Sequence, residues 1–413
     1  MRKIMIVGAG QSGLHLAISL QAKGYQVTVT SNRTADDIRT GKVLSSQCMF
    51  HTALQHERDL GLNQWEGACP PVEGIALSVP HPELPGQKAL TWAHPLDHYG
   101  QSVDQRVKIP GWMELFTSRG GEIIYKEATI EDMEAWTQTY DLVIVAAGKG
   151  PIAQMFERDA ARCWFDKPQR ALALTYVNGM TPRPEFSAVD FNIIPGIGEY
   201  FVFPALTTTG PCHIMVFEGV PGGPMDCWSD VKTPQEHLAR SKEILEKFLP
   251  WEAARCQNIT LTDDNGILAG RFAPTTRKPV GTLPSGRIVM GMGDAVLLND
   301  PITGQGSNNA AKVANAIEKA IVAHGNAAFD ANFINTTFDT FWNAYAKYVV
   351  EWTCGMLMPP PPHVMEVLGA ASVYPQVAKR FVNGFDDPRD YQNFFMTPEK
   401  SQAYLAQVAQ AQA

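Results

Sequence analysis

The chain has 413 residues, 45% of them hydrophobic and 18% charged, with a formal net charge of −8. That is the composition of a globular protein long enough for two domains and a helical tail, and an acidic balance without a long basic run argues against a nucleic-acid partner. No apolar stretch reaches membrane-spanning length, and seven dispersed cysteines with no CxxC pair fit reduced thiols in a cytoplasmic protein.

The chain enters a strand at once, over Lys3-Ile4-Met5-Ile6-Val7, so no signal peptide is expected. Gly8-Ala9-Gly10-Gln11-Ser12-Gly13 follows, then a helix carrying Leu14, Leu16, Ala17 and Leu20 that stops at Gly24, then a strand over 25–30. This is a βαβ unit with GxGxxG in the context that motif needs. Gly8 allows the tight turn, Gly10 lets the backbone approach a pyrophosphate, and Gly13 lets helix pack on strand. The helix N-terminus then faces the phosphate charge. Where many dinucleotide sites place an acidic residue after the second strand, this chain reads Thr30-Ser31-Asn32-Arg33.

Further along, 112–119 reads as a helix ending at Gly120-Gly121, 122–125 as a strand, and 141–147 as a strongly apolar strand ending at Gly148. Aromatic and β-branched runs over 170–177, 200–203 and 213–218 read as antiparallel strands. An apolar run over 287–290 leads into GDAVLLNDPITGQGSNN, Gly293 to Asn309, ahead of a helical pattern over 310–323. From about 326 the pattern is helical, broken by the four prolines 359–362. Two glycine-rich helix starts near opposite ends of one chain point to bound FAD. The expected architecture is α/β. A discontinuous FAD-binding domain (1–50, 97–160 and 265–325) carries an inserted antiparallel β substrate domain (51–96 and 165–264) and a C-terminal helical region (326–413). Ten histidines without ligand spacing give no reason to expect a metal, and no catalytic triad or carboxylate pair stands out. His15 reads as a helix-surface residue, and Trp92, His94, Tyr200, Phe201 and Phe203 as core.

These motifs resemble those of flavin monooxygenases with the p-hydroxybenzoate hydroxylase fold, and within them the two-component styrene and indole monooxygenases, over nearly the whole chain. The resemblance implies FAD supplied reduced and exchangeable by a separate NADH-dependent flavin reductase, O₂ as co-substrate, and oxygen transfer from a flavin C4a-hydroperoxide. Single-component relatives carry Asp-Gly where this chain has Ala146-Ala147-Gly148-Lys149-Gly150, so it is not expected to reduce its own flavin. Motif and resemblance together assign Gly8, Gly10, Gln11, Ser12, Gly13, Asn32, Arg33, Lys42, Arg106, Gly293, Asp294, Pro301, Gly304, Gly306, Ser307 and Asn308 to the cofactor. Asp294 is expected on ribityl or ribose hydroxyls, and Pro301 against the ring edge. Gly304 and Gly306 are expected at the N1–C2=O side. Helix capping is the competing role for Asn308.

The segment Ser45-Ser46-Gln47-Cys48-Met49 matches the Ser-x-Gln-x-Met of indole-type members, and Val72, Ile75 and Ala93 complete that set. Read as a strand, it puts Ser45, Gln47 and Met49 on one face. Ser45 or Gln47 would accept the indole N–H, with Met49, Val72, Ile75 and Ala93 as apolar walls. Ser45, Gln47 and Pro301 are the expected catalytic residues. The expected activity is epoxidation of indole at C2=C3, leading to indigo-type products, with styrene and thioethers as further substrates, in a homodimer. The alternatives are a styrene monooxygenase, a single-component NADPH-dependent aromatic hydroxylase and a non-catalytic flavin-binding protein.

Overall fold

The computed structural model describes residues 2–148 and 151–411. The first sheet contains β1 (Lys3–Val7), β2 (Gln26–Ser31), β5 (Glu122–Tyr125), β6 (Leu142–Val145), β14 (Val280–Thr282) and β15 (Ile288–Gly291), in the order β14-β15-β6-β1-β2-β5. All pairs but β14–β15 are parallel. Ile4 to Val7 and all of β6 are buried, because a parallel sheet is covered on both faces, and continuous apolar runs are what such strands require.

The second sheet contains β3 (Pro71–Pro80), β4 (Lys88–Gln101), β7 (Ala171–Asn178), β8 (Ala188–Ile194), β9 (Gly198–Thr207), β10 (Gly210–Gly219), β11 (Thr260–Leu261) and β12 (Ile267–Gly270). Its order is β11-β7-β10-β9-β8-β3-β4, with β12 also on β7. It is antiparallel except where β3 meets β8. Short strands β13 (Thr275–Thr276) and β16 (Leu297–Leu298) pair separately. Three details depart from the expected layout. Residues 51–59 form a helix, His51–Asp59, β4 runs on past 97 to Gln101, and β12 extends the second sheet beyond 265.

The C-terminal region is helical, from Ala331–Phe341 through a π turn at Trp342–Ala346 to Pro398–Gln410. Pro362 opens the helix Pro362–Ala370 at the position where its missing N–H costs nothing. Trp352, Phe381, Phe385 and Tyr391 share a core with Phe191, Phe201 and Trp92 of the second sheet, and the Trp92 indole donates to Leu368 O at 2.9 Å. Trp92, Tyr200, Phe201 and Phe203 are buried as expected, while His94 is half-buried. His15 is not on the surface: it is fully buried, because its helix is covered on the sheet side and again by the helix Gly306–His324. Among the described residues no helix is long and apolar enough to cross a membrane.

Candidate cofactor and substrate site

Two helices begin side by side. In Gln11–Ala22 the N-cap is Gly10, and in Gly306–His324 it is Gln305; neither has a side-chain cap. Their first N–H groups and positive dipole ends are therefore available to an anion. The Gln11 amide reaches Ser307 O at 3.4 Å, and the Ser12 hydroxyl lies 2.6 Å from where a Cβ on Gly293 would stand. The glycines divide by task. Gly8 has φ +114, and a Cβ on Gly13 would stand 2.1 Å from Gly8 O, whereas Cβ atoms on Gly10, Gly304 and Gly306 would meet nothing within 4 Å. The first two serve turn and packing; Gly10 and Gly306 leave open space, and Gly304 both leaves space and, at φ +65, closes the turn at 301–303. Gly148 packs on Asp294, and the expected departure at Lys149 and Gly150 lies outside the described residues.

This cradle fits an FAD. Asn309, 5% exposed, has neither amide atom hydrogen-bonded, and it lines a small cavity with Gly293, Asp294 and Gly306. A buried amide without partners calls for a polar occupant. Gly8 N donates to Thr30 O at 3.1 Å, which sets Asn32 and Arg33 just beyond the neighbouring strand; Asn32 is exposed and Arg33 half-buried.

Asn308 does not cap its helix. Its side chain accepts from Phe50 N at 2.8 Å and donates to Cys48 O and Gly304 O, each at 2.9 Å, pinning the 48–50 segment to the glycine turn. Arg106 is likewise engaged within the protein. Its five N–H donors go to Asp104, Asp263, Thr207 and Gly41 O, and a guanidinium has no more to give. The Asp104 carboxylate, itself the cap of the helix Gln105–Ser118, recruits it into the protein. Lys42 is exposed, beside the Gly41 carbonyl that Arg106 holds.

The 45–49 segment is not a continuous strand; only Met49 makes a bridge, with Gln101. The expected alternation of faces therefore fails. Ser45 Oγ donates to Gln47 Oε1 at 2.8 Å, and Gln47 Nε2 donates to Tyr176 OH at 3.1 Å. Met49 turns the other way, toward the glycine loop, where its sulfur accepts from Gln11 Nε2 and Lys108 Nζ, each at 3.1 Å.

Ile75 lines an apolar cavity with Leu77, Phe191, Ile302, Thr303 and Trp352, and Val72 packs in the same core. Ala93 does not reach it. It pairs with Ala76, so it projects to the face opposite Ile75 and Leu77. Pro301 opens the turn Pro301–Thr303 and places Ile302 and Thr303 against this cavity. The cavity volume is about 10 Å³, the size of one water, so an aromatic substrate must widen it.

Two buried pairs of ionisable residues escaped the sequence reading. Lys108 Nζ binds both oxygens of Glu57 at 2.9 Å, at 2% and 0% side-chain exposure, and Gln11 joins Glu57 at 3.1 Å. The acids Glu218 and Asp300, both fully buried, come from distant segments and contradict the expectation of no carboxylate pair. Neither pairing carries a spacing signal, since each joins residues more than fifty positions apart. Among the described residues, no group of three or more His, Cys, Asp and Glu is placed to hold a metal.

Residues 148–255 match a family model described as "Styrene monooxygenase A putative substrate binding domain". Styrene monooxygenase StyA of Pseudomonas fluorescens is 28% identical over 417 aligned positions, covering 99% of this chain and 98% of its own. Among solved structures, a flavoprotein/dehydrogenase from Cytophaga hutchinsonii superposes with a TM-score of 0.70 at 13% identity over 100% of both chains. The flavin-dependent brominase Bmp2 gives 0.65 at 15% identity over 94% of this chain and 97% of its own. The fold is the p-hydroxybenzoate-hydroxylase-like FAD-binding fold, and in sequence the chain is similar to styrene monooxygenases over nearly its whole length.

Proposed function

We propose that the chain is the oxygenase component of a two-component FAD-dependent monooxygenase, epoxidising indole at C2=C3, with styrene and aryl thioethers as further substrates. The observation that carries this reading is the adjacency of two uncapped helix starts to a turn, Pro301–Thr303, that forms one wall of an apolar cavity. Gly10, Ser12, Gly293, Asp294, Gly304, Gly306, Ser307 and Asn309 would hold FAD, with Asn32 and Arg33 near its adenosine end. When bound in reduced form, FAD supplies the oxygen-activating chemistry.

The protein's own task is to bind, orient and keep dry. Ile75, Leu77, Phe191, Ile302 and Trp352 exclude water from the space beside Pro301, which strengthens every polar interaction there. Ser45 is half-buried. Having donated its proton to Gln47, its oxygen keeps lone pairs that accept an indole N–H, a donor costly to bury alone by roughly 1–3 kcal/mol. Gln47 holds Ser45 in that role. A soft, electron-rich C=C needs no acid or nucleophile from the chain, only proximity.

A separate NADH-dependent flavin reductase, a homodimeric state and a cytoplasmic setting complete the proposal. Styrene as preferred substrate is the second reading, favoured by the substrate named for the StyA relatives. The test supplies chemically reduced FAD, oxygen and, in separate and competing reactions, indole and styrene. Blue pigment from indole and preference for indole in competition are expected. Bound FAD with no oxidised product from either substrate overturns the enzymatic reading, and preference for styrene overturns the indole assignment. Rapid bleaching of FAD by NADPH alone overturns the two-component assignment.

A further inference from the structure

Strands β9 and β10 pair so that Glu199 stands directly opposite Glu218, and opposed residues of an antiparallel ladder project to one face. Arg170, just ahead of β7, binds Glu199 through Nε to Oε2 at 2.6 Å and Nη2 to Oε1 at 2.9 Å. Its Nη1 is taken by Gln169 O and Leu357 O. Asp300 closes the cluster. Its Oδ1 accepts from Ile302 N at 3.1 Å and so holds the Pro301–Thr303 turn, while its Oδ2 and both oxygens of Glu218, the acid beside it, are buried without a hydrogen-bond partner. Relative exposures of Arg170, Glu199, Glu218 and Asp300 are 6%, 7%, 0% and 0%. Three carboxyls thus surround one guanidinium, and Glu199 already occupies it.

Two neighbouring buried carboxyls with unpartnered oxygens and no cation of their own cannot both stay ionised at this depth. Among the described residues, the charged groups acting on them are each other, Glu199 and Arg170. The nearby Cys354 thiol is itself held protonated, pushed by burial up to about 12. Burial first, and the neighbouring acids second, raise the Glu218 carboxyl above the ordinary carboxylate range; burial raises Asp300 as well.

We propose that Glu218 and Asp300 share one proton, and that this shared proton ties the Pro301–Thr303 turn to strand β10. The inference rests on the flavin reading above, because that turn is the one placed against the ring. Protonated, the pair is a hydrogen bond joining the substrate sheet to the cofactor turn. Doubly ionised, it is a repulsion that pushes the turn away from the sheet. Both are positioning residues: they act on the flavin site through Ile302 and Pro301.

The experiment uses the full-length protein. Infrared spectra of the flavin-free protein near pH 7 should show the C=O stretch of a buried protonated carboxylic acid, lost in Glu218→Gln. FAD titrations from about pH 6 to about pH 9 should show the wild-type affinity falling about tenfold, the equivalent of a roughly one-unit difference in the pair's pKa between flavin-bound and flavin-free protein. Glu218→Gln, which keeps a neutral donor toward Asp300 at any pH, should stay flat. Absence of the infrared band in the wild type overturns the shared proton whether or not flavin binds. An equal fall of affinity in both proteins overturns its role in holding the turn. Failure of the wild type to bind FAD at any pH, with the band present, overturns the flavin reading instead.

Discussion

The Ser45 hydroxyl donates to the Gln47 side-chain oxygen at 2.8 Å, and Gln47 in turn donates to Tyr176 OH. Tyr176 closes the ring by donating to Ser45 O at 2.9 Å. Gln47, 2% exposed, is thus buried with both ends of its amide engaged, and the more accessible Ser45 carries the acceptor that a substrate can reach.

From this relationship, Gln47→Leu should destabilise the fold by about 1–3 kcal/mol, because it removes the acceptor of the Ser45 hydroxyl and the donor to the Tyr176 hydroxyl. It should lower indole turnover more than styrene turnover, because Gln47 holds the Ser45 hydroxyl in place. Ser45→Ala should leave stability within about 1 kcal/mol and lower kcat/KM for indole about tenfold relative to styrene, the worth of roughly one hydrogen bond. Urea unfolding and steady-state competition measure both. An indole-selective loss in Gln47→Leu with none in Ser45→Ala would reverse the two roles.

Gly10 and Gly13 separate cofactor binding from packing. A Cβ on Gly10 meets no atom within 4 Å, while one on Gly13 stands 2.1 Å from Gly8 O. Gly10→Ala should therefore fold with about wild-type stability yet bind FAD at least about tenfold more weakly. Gly13→Ala should lose about 1–3 kcal/mol of stability in the absence of any flavin. Thermal unfolding with and without FAD tells them apart. Unchanged FAD affinity in Gly10→Ala would remove the pyrophosphate from this loop.

Arg106→Lys keeps the charge but not the five-donor fork that joins Asp104, Asp263, Thr207 and Gly41. Asp104 is fully buried, so a loss of about 2–3 kcal/mol is expected in denaturant titration. FAD affinity of the folded variant should change less than about threefold. A large loss of affinity at intact stability would restore Arg106 as a cofactor ligand.

His15 makes stability depend on pH. Burial holds its imidazole down to about 3, with the charges of His56 and Lys108 adding to the effect, and neither ring nitrogen has a partner. Between about pH 3 and about pH 6.5 the unfolded chain binds a proton that the folded chain refuses. Stability is therefore complete above about pH 6.5 and falls on acidification, by about 3 kcal/mol at pH 4 from this residue. His213 and His237, held by burial down to about 4, steepen the same limb. In urea titrations, His15→Leu should lose less stability than the wild type between neutral pH and about pH 4.5. Equal losses would acquit His15.

Periodicity and glycine placement made the parallel sheet, both glycine loops and most strands of the second sheet readable, because burial and φ preferences act on neighbouring residues. The helix Gln105–Ser118 nonetheless begins seven residues before the expected start at 112. The carboxylate of Asp104 caps it, and Pro110 inside it hid its first turns. Met49 and Ala93 were misassigned for a related reason. A face is defined by alternation only where a strand is continuous and in register, and 45–49 is irregular while Ala93 opposes Ala76.

What the chain's order of residues determined alone was local: where it turns, where helices start uncapped, and which runs must be buried on both sides. Who shares the interior was decided by tertiary structure. Arg106 meets Asp263, and Lys108 meets Glu57 across 51 positions, because desolvation forces buried charges to find partners in space, and nothing in linear spacing records which ones they find.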